Sequence, residues 1–279
     1  MDIEPVKKIL RFTKIEHTAF SIPLIFSGAW MGAGGRPPST MVLAFILSAA
    51  IGARICGMSF NRIFDRNIDA VNPRTADREL PSGSMAVSSA LKIAGAGLFV
   101  YVASCFFLGG WCLVLSPIPI IPLIGYSLLK RITWLCHFGI GLCLAIAPLG
   151  AFVAASGGIA FDGPIILFSF FVFFWMSGAD IIYAVMDIDS DRKHHIYSLP
   201  ARLGSAWAQR TAAMVHGMAV SCMILILVII NAGPAAWSAM AIAGLIFILM
   251  YVPQIPLPFR FFPISTFAGI TGAMVPILG

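Results

Sequence analysis

Of 279 residues, 59% are hydrophobic and only 11% charged, with a mean hydropathy of +0.93; soluble globular domains carry about 25% charged residues, so the chain reads as an integral membrane protein. Its formal net charge of +6 sits in short basic clusters between apolar segments, the distribution that membrane topology requires, which argues against nucleic-acid binding. The six cysteines form no C-x-x-C pair and lie among apolar residues, so they read as small buried hydrophobes, not as a disulfide or metal set.

In chain order, residues 1–20 are interrupted by Glu4 and Glu16 and lack a small-residue cleavage site, unlike a signal peptide. They read as an amphipathic helix on the cytoplasmic surface, with Ile3, Val6, Ile9, Leu10 and Phe12 toward lipid. Nine apolar stretches follow as candidate spans: 17–34, 41–60, 86–108, 112–129, 133–156, 164–186, 206–231, 235–252 and 263–278. Four breaks (GGRPPS, GGW, GGIAFDGP and NAGPA) are Gly/Pro turns almost without charge. The other connections, 61–85, Lys130–Arg131, 187–205 and 253–262, hold most of the basic residues.

That alternation orients the chain. A cytoplasmic N-terminus collects Lys7, Lys8, Arg11, Lys14 and all four charged connections on one side and leaves only Arg36 opposite. The C-terminus is then expected outside, in a bacterial inner membrane. No linker or soluble extension interrupts residues 1–279, so a single domain is expected. Its architecture is all-α, because backbone exposed to lipid must be hydrogen-bonded internally.

Two stretches carry chemistry. In 54–83, an apolar segment runs out through Asn61, Asp65 and Asp69, at i, i+4 and i+8, among Arg62, Arg66, Arg74 and Arg78. If the helix persists, the three oxygen-bearing side chains form one near-axial stripe. Mg²⁺ prefers one or two carboxylates plus substrate phosphate oxygens and water, and guanidinium groups suit phosphate. In 177–204, Asp180, Asp187 and Asp191 stand at i, i+7 and i+11, with Asp189 off the stripe and Arg192 and Lys193 following. Both stretches close with a Pro/Gly loop, LPSG at 80–83 and LPARLG at 199–204, a weak internal repeat. The expectation is two acid clusters on one face, holding Mg²⁺ and a diphosphate between them.

Plainer readings stand beside these. Asp69, Asp77, Glu79 and Asp189 taken singly are solvated helix ends. Asp180 lies about two turns inside the apolar segment from Asp187, where an ionisable group is costly and reads as functional or as a structural partner. Lys130–Arg131 reads as a phosphate contact or a topological anchor. The five histidines show no ligand spacing, and the Phe-rich run 167–175 reads as core, as lipid-facing surface, or as the wall of an isoprenoid groove.

The motifs NRIFDRNID (61–69), NPRTADRELPSG (72–83), YSLLKR (126–131) and DIIYAVMDIDSD (180–191), in this order, resemble the UbiA superfamily of intramembrane prenyltransferases over essentially the whole chain. KIEHTAFSIPL (14–24) resembles its 4-hydroxybenzoate polyprenyltransferase-like subgroup. One departure is Arg62, where many members carry Asp directly after the first-motif Asn. The resemblance implies nine transmembrane helices around a central cavity open laterally to lipid. It implies Mg²⁺-dependent transfer of a polyprenyl group from polyprenyl diphosphate to a carbon of an aromatic acid. The acceptor would be 4-hydroxybenzoate-like, as in ubiquinone synthesis, or 1,4-dihydroxy-6-naphthoate, as in menaquinone synthesis.

The roles it implies are these. Asn61, Asp65, Asp69, Asp187 and Asp191 hold Mg²⁺, and Lys130 with Arg74 or Arg131 holds diphosphate. Arg54 takes the acceptor carboxylate, unless it forms a structural pair with Asp180. Asp180 and Tyr183 brace the site or handle protons. A secondary transporter with intramembrane acids is the rival from another class, but acids gathered at one face among arginines suit phosphate better. An alcohol phosphotransferase would need a D-G-x-x-A-R run, which is absent.

Overall fold

The computed structural model describes residues 4–14, 18 and 21–279, and every described residue in a regular element is helical. Ile3 and His17 lie outside the described residues, as does the side chain of Val6. Helix α1 (Glu4–Thr13) precedes α2 (Ser21–Gly32), the 32-residue α3 (Thr40–Val71) and α4 (Val87–Leu108). Helices α5 (Gly110–Leu115) and α6 (Pro117–Gly125) run into a 3₁₀ turn, Tyr126–Arg131. Then come α7 (Cys136–Ser156), α8 (Gly163–Ala184), a 3₁₀ turn (Val185–Asp187), α9 (Ile188–Lys193) and α10 (Leu199–Leu203). Helices α11 (Ser205–Ile229), α12 (Pro234–Leu249), α13 (Leu257–Phe259) and α14 (Ser265–Leu278) complete the chain, with a π-helical turn, Arg260–Ile264, before α14.

Seven helical segments among the described residues are long and apolar enough to cross a membrane, and Ser21–Gly32 and Pro234–Leu249 are shorter apolar helices. Of the nine expected spans, seven coincide with these segments and two with the shorter helices. A helix of 12 or 16 residues covers only about 18 or 24 Å at 1.5 Å per residue, short of a ~30 Å hydrocarbon core. The segment expected as one span over 112–129 is among the seven, as Gly110–Arg131, and it divides into α5, α6 and a 3₁₀ turn where Pro117, Pro119 and Pro122 remove amide donors and crowd the preceding turn.

Close approaches assemble the bundle. A Cβ on Gly28 or Gly32 of α2 would strike the backbone of Pro148 or Phe152 in α7, and Gly52 of α3 meets Gly97 and Tyr101 of α4 in the same way. Helix α8 lies deepest. Phe168, Phe171 and Trp175 are essentially inaccessible, and Trp175 Nε1 donates to the Ser265 carbonyl of α14 at 3.0 Å. The Phe-rich run is thus mainly core, with Phe170 half exposed on its outer side.

Helix α1 corrects one expectation. Ile9 and Leu10 are exposed as an interfacial helix requires, but Phe12 is completely buried against the protein. Arg62 explains this: it is itself buried and its Nε donates to the Phe12 carbonyl at 3.4 Å, capping the end of α1. The residue that departs from the common motif thus serves to dock a helix.

Candidate functional site

Helix α3 stays helical to Val71, so Asn61, Asp65 and Asp69 do form a stripe at its end, and both acids are buried. Asn61 Nδ2 donates to Asp65 Oδ2 at 2.9 Å, and Lys130 Nζ reaches the same oxygen at 2.7 Å from the 3₁₀ turn after α6. Oδ1 of Asp65 is buried without a hydrogen-bond partner among the described residues. Asp69 is held through both oxygens, at 2.8 Å each, by Nη1 of Arg78 in the following loop. Thr75 ties that loop back by donating to the Asp69 carbonyl at 3.0 Å.

The second stretch is built differently. The α8 helix ends at Ala184 and tightens to 3₁₀ through Asp187, so Asp180, Asp187 and Asp191 do not share one continuous α-helical stripe. Asp187 instead accepts from the first loop: Asn72 Nδ2 at 2.9 Å, Arg74 Nε at 3.0 Å and Arg74 Nη2 at 2.5 Å. Arg74 also donates to the Tyr183 hydroxyl and stacks over its ring at 4.7 Å. Burial favours losing the Arg74 proton, but Asp187 and Tyr183 outweigh it and hold the guanidinium above its ordinary value. Asp191 accepts from Ser198 Oγ at 2.7 Å, while Asp189 is exposed and off the site.

The two stretches meet through shared partners. The Asn72–Arg74 loop leaves α3 and grips Asp187, and Lys130 interacts electrostatically with both Asp65 and Asp191. Arg131 turns away and donates to the Phe64 carbonyl, pinning α3, so the structure pairs Arg74 and Arg78 with the acids and leaves Arg131 apart from them. Arg78 was missing from the sequence-based site; its place in the polar tail RTADRELPSG was the available signal. Tyr126 was missing too. It opens the 3₁₀ turn that carries Lys130, and its spacing to Lys130, i and i+4, could have marked it.

Asp180, among the described residues, is matched with His137 and not with Arg54. It accepts from His137 Nδ1 at 2.7 Å, and His137 Nε2 accepts the Leu199 amide proton at 3.2 Å. Since an amide N–H only donates, Nε2 carries the lone pair and the proton sits on Nδ1. The Asp180–His137–Leu199 chain therefore braces the loop behind Asp191. Arg54, half-buried, donates through Nη2 to the Lys14 carbonyl at 3.4 Å, next to Tyr126.

Among the described residues no three His, Cys, Asp or Glu side chains form a ready-made metal cluster. Mg²⁺ does not require one, since it completes its octahedron with substrate phosphates and water. The donors present are hard oxygens, and the orphaned Oδ1 of Asp65 is an unused acceptor of the right kind. The residues fit such an ion.

An apolar cavity of about 330 Å³ lies among α2 to α7, bounded toward the polar cluster by Ala53, Leu123 and Cys143. Small side chains on α3 and α7 (Ala49, Ala50, Ala147 and Gly150) leave it open, and no residue of the run 167–175 lines it.

The model of the UbiA prenyltransferase family matches residues 21–256. A 4-hydroxybenzoate octaprenyltransferase from Aliivibrio fischeri is 27% identical over 259 residues, covering 88% of this chain and 86% of that one. The apo structure of a UbiA homologue from Aeropyrum pernix K1 superposes with a TM-score of 0.79 at 32% identity, covering 95% of each chain. A UbiA homologue from Archaeoglobus fulgidus, solved with GPP and Mg²⁺ bound, shares the fold at a TM-score of 0.70 and 18% identity, over 97% of this chain and 99% of that one.

Proposed function

The chain belongs to the UbiA prenyltransferase family and is an integral-membrane polyprenyltransferase, and from that premise we propose that it transfers a polyprenyl group from polyprenyl diphosphate to a ring carbon of a 4-hydroxybenzoate-type acid, with Mg²⁺, in quinone synthesis. The observation that carries this reading is the pairing of three acids of the two stretches with cations: Asp65 with Lys130, Asp69 with Arg78, and Asp187 with Arg74. Such pairs can exchange partners when a metal diphosphate enters, the carboxylates turning to the metal and the cations to phosphate oxygens. Asn61, Asp65, Asp69, Asp187 and Asp191 are the residues that would hold Mg²⁺. Bound there, Mg²⁺ supplies neutralisation of the charge that builds on the departing diphosphate.

The chain's own groups do the remainder. Lys130, Arg74 and Arg78 hold diphosphate oxygens as the allylic C–O bond breaks and its electron pair leaves with the diphosphate. Tyr183 keeps the Arg74 side chain extended toward Asp187. The ring carbon of the acceptor then attacks the allylic carbon, and its proton passes to an oxygen of the departed diphosphate as the ring regains aromaticity. The apolar cavity lined by Leu123 and Cys143 excludes water from the cation.

Arg54 is the candidate for the acceptor carboxylate, which a guanidinium binds through two parallel N–H donors. Arg54→Ala should raise the KM for the aromatic acid about tenfold and leave that for the diphosphate within twofold, the size of one charged hydrogen bond. Equal changes in both would remove Arg54 from the acceptor site. The orientation in this reading puts the acid clusters in the cytoplasm, so a reporter inserted near Ser84 should face inward and one fused after Gly279 outward.

The test of the whole reading is purified protein in detergent or liposomes with Mg²⁺, a labelled prenyl diphosphate and either 4-hydroxybenzoate or 1,4-dihydroxy-6-naphthoate. Prenylated 4-hydroxybenzoate, abolished by chelating the metal, supports it. Product only from the naphthoate would reassign the acceptor, and no product from either would overturn it.

A further inference from the structure

The connection 253–262 brings a single charge, Arg260, and no acid, yet it packs against the second acid stretch. After α13 the backbone widens into the π-helical turn Arg260–Ile264, in which the Ser265 amide reaches back five residues to the Arg260 carbonyl. Pro263 lies inside the turn and has no amide to give an α-helical bond. A π turn holds one residue more than an α turn. The residues before it therefore stand about 100° around the axis from where α14, continued backward, would put them.

Both ends of this turn are fastened. Arg260 is buried; its Nε donates to the Ile255 carbonyl at 2.6 Å, Nη1 to Gln209 Oε1 of α11 at 2.9 Å and Nη2 to the Pro253 carbonyl at 2.9 Å. Each acceptor is a neutral oxygen, so the guanidinium ties the turn to α11 and to its own loop. At the other end Ser265 accepts from Trp175 Nε1 of α8, through its carbonyl and its hydroxyl, at 3.0 Å each.

The fastened turn presents Phe261. Its ring meets that of Tyr183, with centroids 4.3 Å apart and planes inclined by 39°. Arg74 stacks over the same Tyr183 ring at 4.7 Å and donates to its hydroxyl, and Arg74 in turn holds Asp187. A close aromatic pair fixes the position of both rings, and a guanidinium drawn to a ring face follows the ring.

Resting on the prenyl diphosphate reading above, we propose that Phe261 is a positioning residue for prenyl transfer: it fixes Tyr183, Tyr183 fixes Arg74, and Arg74 is thereby held where it grips Asp187 and meets the diphosphate. The π-helical turn is then a third element of the site, beside the two acid stretches, although it carries none of the site's acids. Phe261 acts only through Tyr183 and Arg74.

The test is a double-mutant cycle between Phe261 and Arg74, with separate KM values for prenyl diphosphate and for the aromatic acid. Phe261→Ala should raise the KM for the diphosphate about fivefold, leave that for the acid within about twofold, and add less than about twofold once Arg74→Ala is present. Phe261→Tyr keeps the ring and should stay within about twofold of wild type. Equal rises in both KM values, an unchanged diphosphate KM, or the same factor with and without Arg74 would overturn the assignment.

A second readout needs no turnover. In Phe261→Ala, hydrogen exchange should quicken over 72–76 and 185–190 and match wild type over 206–228 of α11, which reports an intact bundle. Exchange unchanged at 72–76, or quickened throughout α11 as well, would also overturn the assignment. Absence of prenyl transfer by wild type would instead strike the functional reading, and the exchange pattern would still decide whether Phe261 holds the Arg74 loop.

Discussion

The two acid stretches look alike in sequence and are built unlike. The first sits on an unbroken helix: α3 carries Asn61, Asp65 and Asp69 without interruption, and the side chains of Asp65 and Asp69 are only 3% and 5% exposed. The second sits on a helix that gives way: α8 narrows to 3₁₀ at Val185–Asp187, and Asp187 is 14% exposed. Its position depends on side chains from the other stretch, Asn72 and Arg74. The first stretch, held by its own helix and following loop, is thus the anchor, and the second, held by Arg74 of the first, the arm.

The largest effect should come from the anchor. Asp65→Asn keeps the shape and removes the charge that Lys130 and the metal share, and should lower kcat by about a thousandfold or more, several kcal/mol of charge stabilisation. Asp187→Asn should fall by about a hundredfold, since Asp191 remains on the same arm. Equal losses would erase the distinction between anchor and arm. Lys130→Met should rank between them, at about 10²–10³-fold on kcat, as for removal of one donor to a developing anion. Recovery of part of that rate by Lys130→Arg would separate the effect of charge from an effect on folding.

Below these comes the latch. Arg74→Ala removes the hold on Asp187 together with the proposed phosphate contact, so the KM for prenyl diphosphate should rise about tenfold while protein yield holds. An unchanged KM would mean that Arg74 is only a strut. The brace behind the arm is next. His137→Ala leaves the Leu199 amide and Asp180 without partners, a cost of about 1–3 kcal/mol, and should speed proteolysis within 194–204 while leaving the α3 end protected. Digestion that spreads evenly over both loops would contradict a local brace. Arg62→Ala should do least. It should loosen α1, seen as faster hydrogen exchange over residues 7–13, with turnover within a few fold, since a capping hydrogen bond is worth about 1 kcal/mol.

How much of this was legible follows from the physics of each part. The end of α3 was readable because a stripe at i, i+4 and i+8 needs only that the helix continue, and nothing in 61–71 breaks one. The break at 185–187 has no Pro or Gly to announce it; it reflects tertiary pulls on Asp187 that local sequence does not encode. Asp180 was marked as costly where it stands, but its partner, His137, lies 43 residues away on α7, beyond any spacing rule. Hydropathy found the apolar stretches and overestimated α2 and α12, whose windows include turn residues. The apolar cavity is lined in part by small residues such as Ala49, Ala50 and Gly150, which no periodicity in the sequence marks.

The central claim is that anchor and arm form one metal-diphosphate site. Equilibrium binding of a non-reactive prenyl thiodiphosphate, titrated with and without Mg²⁺ into wild type, Asp65→Asn and Asp187→Asn, addresses it without turnover. The account predicts binding that requires Mg²⁺ in wild type and is weakened at least about tenfold by either substitution, the worth of one charged hydrogen bond or metal ligand removed from a site both acids serve. Binding indifferent to Mg²⁺, or weakened by one substitution and untouched by the other, would contradict it.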